Sequence, residues 1–528
     1  MKMVKSLILG SAAGLIAVSG AQAADLPVKA KAVEYVRICS LYGAGFFYIP
    51  GTDTCIKLGG YLRAEVGLNT NSVYDTQNSS VAGARNRFSN YYTARSREDL
   101  NIDTRTATEY GVVRTFFDAT FSWTTGSYSG NPAAGGASVY QALGGSAAVS
   151  PAVAPQNASP GAVAGGALGV YYAFIQFAGF TMGKAVSQFS APWANYPANN
   201  YDGLPGGGGT ITGVNQLSYT SDFGNGVSGT VSLQDQVQYT QTAVANLSVG
   251  AGGANLVAGS LGASDYGGTR APDIIGMIRV DQAWGVFQAE VAAHENHAAY
   301  YVPGFETSGH PDDRWGWAAG VNLSIKNIPT GAGDTINMDA VYTNGASRYN
   351  FQDLMAVNYV MYGGTGLPGA YQSIGVGAVT DSVFVTGGQQ QLTTTYGFRG
   401  GYTHNWTPYW NNSIYGAWAA VRYNGTAKSL ICSGVPGGAG GLGAVISTAA
   451  AGCNPDFNYA VVGLVTRWTP VKGLTFSADL AYMMLDQKFA GGTTFVQAAA
   501  PALGKPSATY EIKDQNALTL LLRAQRNW

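Results

Sequence analysis

Arg95, Arg97, Asp99, Asn101, Asp103 and Arg105 occupy every second position of one segment, with Leu100 and Ile102 among the residues between them. The same alternation sets Tyr61, Arg63 and Glu65 opposite Leu62, Ala64, Val66 and Leu68. It sets Arg114, Asp118 and Thr120 opposite Val113, Phe117, Ala119, Phe121 and Trp123. In a strand, successive side chains point to opposite faces, so each segment carries one ionised face and one apolar face. Charges of both signs along a wet wall order water and sort ions and dipolar solutes; they break no bonds. The histidines at 294, 297, 310 and 404 are the competing source of chemistry. His294 shares a face with Glu290, but two groups make neither a triad nor a complete metal shell. A barrel hydrolase needs a converging Ser/His/acid constellation, and none stands out. The expectation is a protein with no catalytic residue, no metal and no cofactor.

Such two-faced segments must stand between an aqueous and an apolar medium. Only 11% of the 528 residues are charged, and the mean hydropathy is +0.02; a soluble domain carries roughly 25% charged residues. After the first two dozen residues no apolar run approaches the roughly 18 residues of a membrane-crossing helix. Segments of about ten alternating residues suit strands with lipid on one side and water on the other. Arg or Lys on the lipid face costs about 2–4 kcal/mol at the midplane, so the ionised faces belong to a lumen.

The connectors alternate in length. Tight turns fall at 107–109, Gly179, 223–226, 283–285, 328–333, 406–408 and 470–473. Long Gly/Ala/Ser-rich or polar loops fall at 69–93, 125–167, 190–213, 240–271, 297–313, 347–392, 428–456 and 490–508. This predicts an all-β transmembrane antiparallel barrel of about sixteen strands, an even number, with short periplasmic turns and long extracellular loops. The segments at 315–326 and 413–423 alternate least cleanly. A secreted propeller is the alternative, and the connector pattern disfavours it.

Lys2 and Lys5, the apolar stretch 6–20 and Ala21-Gln22-Ala23 form a signal peptide over 1–23, cleaved before Ala24. Cleavage removes two of the 29 basic residues and none of the 30 acidic ones. The mature chain is faintly acidic and offers nothing to nucleic acid. The layout is then a periplasmic segment at 24–56 and the barrel at 57–528, placed in the outer membrane. Sidedness also pairs the four cysteines. Cys39 and Cys55 lie on the periplasmic side, whereas Cys432 and Cys453 share one extracellular loop. A disulfide spans about 4.4–6.8 Å between Cα atoms, which leaves only Cys39–Cys55 and Cys432–Cys453.

Residues 33–62 read VEYVRICSLYGAGFFYIPGTDTCIKLGGYL. This stretch resembles the start of the alphaproteobacterial general porins, and the leader ending GAQAAD and the terminal Gln525-Arg526-Asn527-Trp528 are similar to the same family. The resemblance implies a sixteen-stranded homotrimer in lipopolysaccharide-containing outer membrane, inserted by the outer-membrane assembly machinery. It implies passive diffusion of small hydrophilic solutes, and a third extracellular loop folded inward. Trp528 stands where the family usually ends in Phe, and keeps an aromatic as the C-terminal insertion signal of a strand closing near Tyr61. The chain is longer than typical members, through growth of the loops at 125–167 and 347–392.

In this frame 190–213 is the constriction loop, with Asp202 its one charge. Trp193, Tyr196 and Tyr201 are expected to anchor it, with stacking on sugars as the alternative. The glycine run at 206–209 is not a phosphate loop, because no Gly-Lys-Ser/Thr follows. Arg63, Arg95, Arg97, Arg105 and Arg114 are expected opposite the loop, with Glu65, Asp99, Asp103 and Asp118 in the same alternation. Opposed charges across the gap set a transverse field; pairing along the wall is the plainer outcome. One loop acid against several arginines leans the reading toward anions. A sugar- or anion-preferring channel, an adhesin and a barrel enzyme are the alternative functions.

Overall fold

The computed structural model describes residues 37–70, 84–87, 89, 91–124, 167–236, 241–250, 252–352, 354–434, 440–447, 452–500 and 503–528. The signal peptide and most of the loop at 125–167 lie outside the described residues. Sixteen antiparallel strands form the wall. They are β1 (Cys55–Leu68), β2 (Tyr92–Thr108), β3 (Gly111–Thr124), β4 (Ala167–Phe177), β5 (Phe180–Ala185) and β6 (Val214–Gly224). Then come β7 (Val227–Gln234), β8 (Asp273–Gln282), β9 (Gly285–Asn296), β10 (Arg314–Lys326) and β11 (Thr335–Asn344). The last are β12 (Thr394–Thr407), β13 (Trp410–Arg422), β14 (Phe457–Val471), β15 (Leu474–Gln487) and β16 (Gln515–Asn527). Each pairs with its neighbours in sequence, and β16 pairs with β1, Tyr61 opposite Asn527 and Leu68 opposite Leu520. Closure through β16 and β1 leaves neither the first nor the last strand with a free edge, which a strand in lipid cannot tolerate.

The tight turns fall where expected. Asn225-Gly226 joins β6 to β7 with φ of 53° and 75°, the two left-handed residues of a type I′ hairpin. Faces follow parity: Leu62 is 55% exposed toward lipid, while Glu65 on the other face is 3% exposed. Aromatics gather outside at both ends of the wall. Trp317, Tyr342, Tyr396 and Trp418 run across β10–β13 near the extracellular ends, and Trp468 stacks on Phe476 near the periplasmic ends. Two such belts mark the two interfaces of a membrane.

The sequence pattern carries β5 to Phe189, but the strand ends at Ala185. Gln216 Nε2 donates to the carbonyls of Ala185 and Val186, at 3.1 and 2.8 Å, and Ser187 Oγ accepts from Phe189 N at 3.0 Å. Side chains thus occupy the groups a longer ladder would use, and the chain leaves the wall four residues early.

The loops at 240–271, 347–392, 428–456 and 490–508 carry folded structure among the described residues. One four-stranded sheet joins 243–246, 263–264, 380–384 and 391–392, and another joins 358–363, 372–378, 494–497 and 508–512. Helix α1 (Gly425–Ser433) starts at Asn424, whose side chain accepts from Ala427 N at 2.8 Å. These loops pack onto an inner wall that is apolar in its extracellular half: Tyr415, Ala417, Ala419, Val421, Tyr459, Val461 and Leu485 are buried together. On β13–β15 the extracellular half of the inner face is thus a hydrophobic core rather than a polar lining.

The disulfides are Cys39–Cys55 and Cys432–Cys453, with Cα separations of 6.1 and 6.0 Å, as sidedness requires. Closing a loop with a sequence separation of 21 is worth about 3 kcal/mol in chain-entropy terms. The double variant Cys432→Ser/Cys453→Ser is expected to be cut by protease within 425–456 on intact cells, while the barrel keeps its heat-modifiable gel mobility. Cleavage as slow as in the parent would contradict a bracing role for this bond.

Candidate functional site

Register alone lines up the central charges. Arg523 on β16 stands opposite Glu65 on β1, and Glu65 stands opposite Arg95 on β2. Opposite charges facing each other across strands attract, and here the acid sits between two guanidiniums. Glu65 pairs with Arg95 and accepts from Arg523 Nε at 2.6 Å. One step toward the periplasm, Arg63 faces Gln525 on one side and Arg97 on the other. Two like charges in register repel. Gln525 Oε1 accepts from Arg63 Nε, and Ser122 Oγ from Arg97 Nε, both at 2.8 Å.

Asp202 completes this cluster from the loop at 186–213. Its carboxylate lies 3.1 Å from Arg95 Nη2, 3.8 Å from Arg63 Nη1 and 4.0 Å from Arg523 Nη2. Tyr196 OH donates to it at 2.6 Å. The residue is fully buried. Burial pushes its pKa up, but the guanidiniums of Arg95, Arg63, Arg97 and Arg523 outweigh burial and hold the carboxyl well below the usual range. The expected placement of Asp202, facing wall arginines across an open gap, is thus corrected: the carboxylate closes onto those arginines. A single acid facing several guanidiniums is drawn into contact wherever the backbone can reach.

The rest of the loop is tied to the far wall, largely through its carbonyls. Arg399 on β12 pairs with Asp339 on β11 and donates to the carbonyls of Ala194, Leu204 and Gly208 at 2.9, 3.3 and 2.7 Å. Arg467 on β14 donates to the Ala198 carbonyl at 2.6 Å. Asn200 N donates to Asp479 on β15 at 2.7 Å, and its carbonyl accepts from Arg523 at 2.7 Å. The glycine run serves this approach. A Cβ at Gly206 (φ +94°) would lie 2.3 Å from the Phe398 carbonyl, and one at Gly207 would lie 1.7 Å from the Asp339 carboxylate. Tyr201 is wholly buried, Trp193 is half-buried and Tyr196 holds Asp202.

The remaining charges form a second group. Asp103 pairs with Arg105 and Arg114, each at 3.0 Å, and Arg114 also donates to Gln176 at 2.9 Å. The Arg105 guanidinium lies over the rings of Phe46 and Tyr42 in the disulfide-bonded N-terminal segment, at 4.9 and 5.7 Å. Beside this group, at the periplasmic end, is a cavity of about 560 Å³ lined by Arg105, Arg114, Gln176, Thr181 and Asp222. Asp99 and Asp118, on neighbouring strands, stand between the two groups and make no ion pair within 4.0 Å among the described residues. His294 serves structure: its Nδ1 bonds Asp273 at 2.8 Å and its Nε2 bonds Tyr266 at 3.2 Å, tying a loop to β8 and β9.

Arg399, Arg467, Arg523, Asp339 and Asp479 were not among the residues singled out by sequence, yet they hold the loop. Arg523 had a partly readable signal: closure near Tyr61 brings the C-terminal strand beside β1, and the observed pairing of Tyr61 with Asn527 places Arg523 opposite Glu65.

Asp202→Asn leaves three guanidiniums around a neutral amide, and breaking a buried pair costs about 3–5 kcal/mol. The variant is expected to unfold at lower temperature and to expose the loop to protease. Because the Asp202 pKa lies below its unfolded value, its contribution is complete above about pH 4 and fades only as pH falls further. Protease protection of the parent loop should therefore be flat from pH 8 to pH 5. Loss of protection between pH 7 and pH 5 would contradict an ionised Asp202 as the latch.

Residues 25–521 match the family model described as a porin subfamily. The chain is 32% identical over 292 residues to the porin Omp2b of Brucella suis biovar 1, covering 55% of this chain and 65% of that one. It is 31% identical over 292 residues to the porin Omp2b of Brucella melitensis biotype 1, with the same coverage. The alignment thus spans just under two thirds of these relatives' length. In fold it is similar to the outer membrane channel DcaP of Acinetobacter baumannii, with a TM-score of 0.54 and 14% identity over 91% of this chain and 99% of that one. A sixteen-stranded closed barrel, its aromatic belts and a match that runs nearly end to end lead to one conclusion: this chain belongs to the porin family, as an outer-membrane β-barrel.

Proposed function

We propose that the chain forms a water-filled channel through which small hydrophilic solutes and ions diffuse passively across the outer membrane, without chemistry of its own. One observation carries the reading: the wall is apolar outside and ionised inside at the level of the crossing loop and below it, and that loop is lashed across the interior by buried ion pairs. A barrel that only anchored extracellular loops would have no use for a charged interior. The loop is braced chiefly against β11–β16 and β1. The passage is then placed on the side of β2 and β3, toward the periplasmic cavity beside Arg105 and Arg114.

The family also favours a homotrimer seated among lipid and lipopolysaccharide, inserted by the outer-membrane assembly machinery with Trp528 as the terminal signal. Trp528 N donates to the Gly60 carbonyl at 3.2 Å, which joins that signal to the barrel seam. A second reading, a channel that prefers sugars or anions, draws on the folded loops and the apolar upper wall of β13–β15, which narrow the extracellular half.

Purified protein in planar bilayers is expected to give steady, ohmic single-channel steps. Liposomes carrying it should swell in small sugars with a sharp size cutoff and no saturation. Absence of any conductance would overturn the channel, and saturable uptake of one sugar would replace general diffusion with the second reading.

A further inference from the structure

The barrel carries another inward-turned element, at its periplasmic mouth. Cys55 opens β1 in register with Arg105 and shares the lumen-facing parity of Lys57, Tyr61 and Arg63. Its disulfide to Cys39 therefore leads the N-terminal segment to the lumen side of the wall, not the lipid side. There residues 37–54 fold back on themselves. Cys39 N donates to the Phe46 carbonyl at 3.0 Å and Tyr48 N to the Arg37 carbonyl at 2.8 Å, while Phe47 and Tyr48 pair with Ile56 and Cys55 of β1. Cys39, Phe46 and Cys55 are buried together, with Tyr42 and Tyr48 packed against them.

The wall grips this segment at several points. The Arg105 guanidinium is held by Asp103 on one side and lies over the Phe46 and Tyr42 rings on the other. Lys57 Nζ is 5.9 Å from the Phe46 ring, and the Thr54 and Thr106 hydroxyls share a hydrogen bond at 2.9 Å. Cations over ring faces attract, and the disulfide keeps the rings within their reach. Tyr42 then extends past Arg105 and forms one side of the periplasmic cavity of about 560 Å³. The other sides come from β3 to β6, through Arg114, Gln176, Thr181, Thr220 and Asp222. The segment thus narrows the mouth on the side of the barrel where the passage is placed.

We propose that the disulfide-pinned segment 37–54 is a periplasmic collar, a narrowing separate from the crossing loop that helps set which solutes pass. Tyr42 and Phe46 determine its size, and Arg105 is the positioning residue that holds their rings in place. A pore's width and lining decide what it passes, and here both are supplied by a segment outside the barrel strands. The collar rests on the channel reading for its role, whereas its position over the cavity does not depend on conduction.

Two readouts test it, one of them independent of conduction. Tyr42→Ala/Phe46→Ala keeps the disulfide and removes the rings. In bilayers it should raise single-channel conductance about 1.5-fold or more, and in liposomes it should admit larger sugars. Cys39→Ser/Cys55→Ser keeps the rings but unpins them, and should move both values the same way, which guards against a folding defect in either variant. Arg105→Gln should also raise conductance, while Arg105→Lys, which keeps a cation over the rings, should restore most of the parent value. For the second readout, Thr181→Cys places a thiol in the cavity of the folded, detergent-solubilised protein. A polymer-linked maleimide should label it several-fold faster without the Tyr42 and Phe46 rings, while a small thiol reagent labels both proteins alike. Equal polymer labelling overturns the collar. Equal conductance and sugar cutoff in a parent that conducts overturn its role in narrowing the passage. Ring-dependent labelling in a parent that does not conduct keeps the collar and overturns the channel.

Discussion

Everything in this molecule follows from the lack of water in the bilayer core. Each backbone N–H and C=O there must find a partner within the protein, and a sheet achieves this only by closing on itself. The ladder between β16 and β1 meets that demand, and it does more. By setting Asn527 against Tyr61 it also sets Arg523 against Glu65, residues 458 apart in sequence. The seam that satisfies the backbone is thus the seam that assembles the central charge cluster, and Trp528 sits at its end.

A closed barrel with this interior still needs something to define its passage. Arginines from β1, β2, β12, β14 and β16 donate to the loop's carbonyls or pair with its one acid, while Glu65, Asp339 and Asp479 balance them. Burying so many charges is tolerable only because each has partners in a low-dielectric setting. The arrangement is rigid for the same reason: a loop that moved would strand several guanidiniums at once. Aromatic packing by Tyr201 and the close approach of Gly206 and Gly207 to the wall complete the clamp.

Much of the fold was legible in the sequence, because alternation is a local property. Arg95 to Arg105 declares its inner face without reference to any other strand, and Asn225-Gly226 declares its turn. The disulfides followed from sidedness. Contacts made by the loop were not legible. That Asp202 closes onto Arg95 rather than facing it across water depends on where a 28-residue crossing, 186–213, lands in three dimensions. Nor was the apolar inner wall of β13–β15 legible. Tyr415, Ala417 and Val421 alternate with Ile414, Trp418 and Ala420, so neither face shows polarity, and only the folded loops explain what covers the inner one. The short β5 escaped because side chains from β6 and the loop itself, not a breaker in its own sequence, end it.

The central claim is that the loop at 186–213 is a clamped part of the barrel interior. Backbone hydrogen exchange on the intact protein in a lipid bilayer tests it most directly, since exchange reports the opening of each segment. The account predicts that amides of the loop, Asn200 and Gly206 among them, are protected on the timescale of β12–β16, while the exposed loop around 302–308 exchanges far sooner. Equal, rapid exchange of both loops would contradict it.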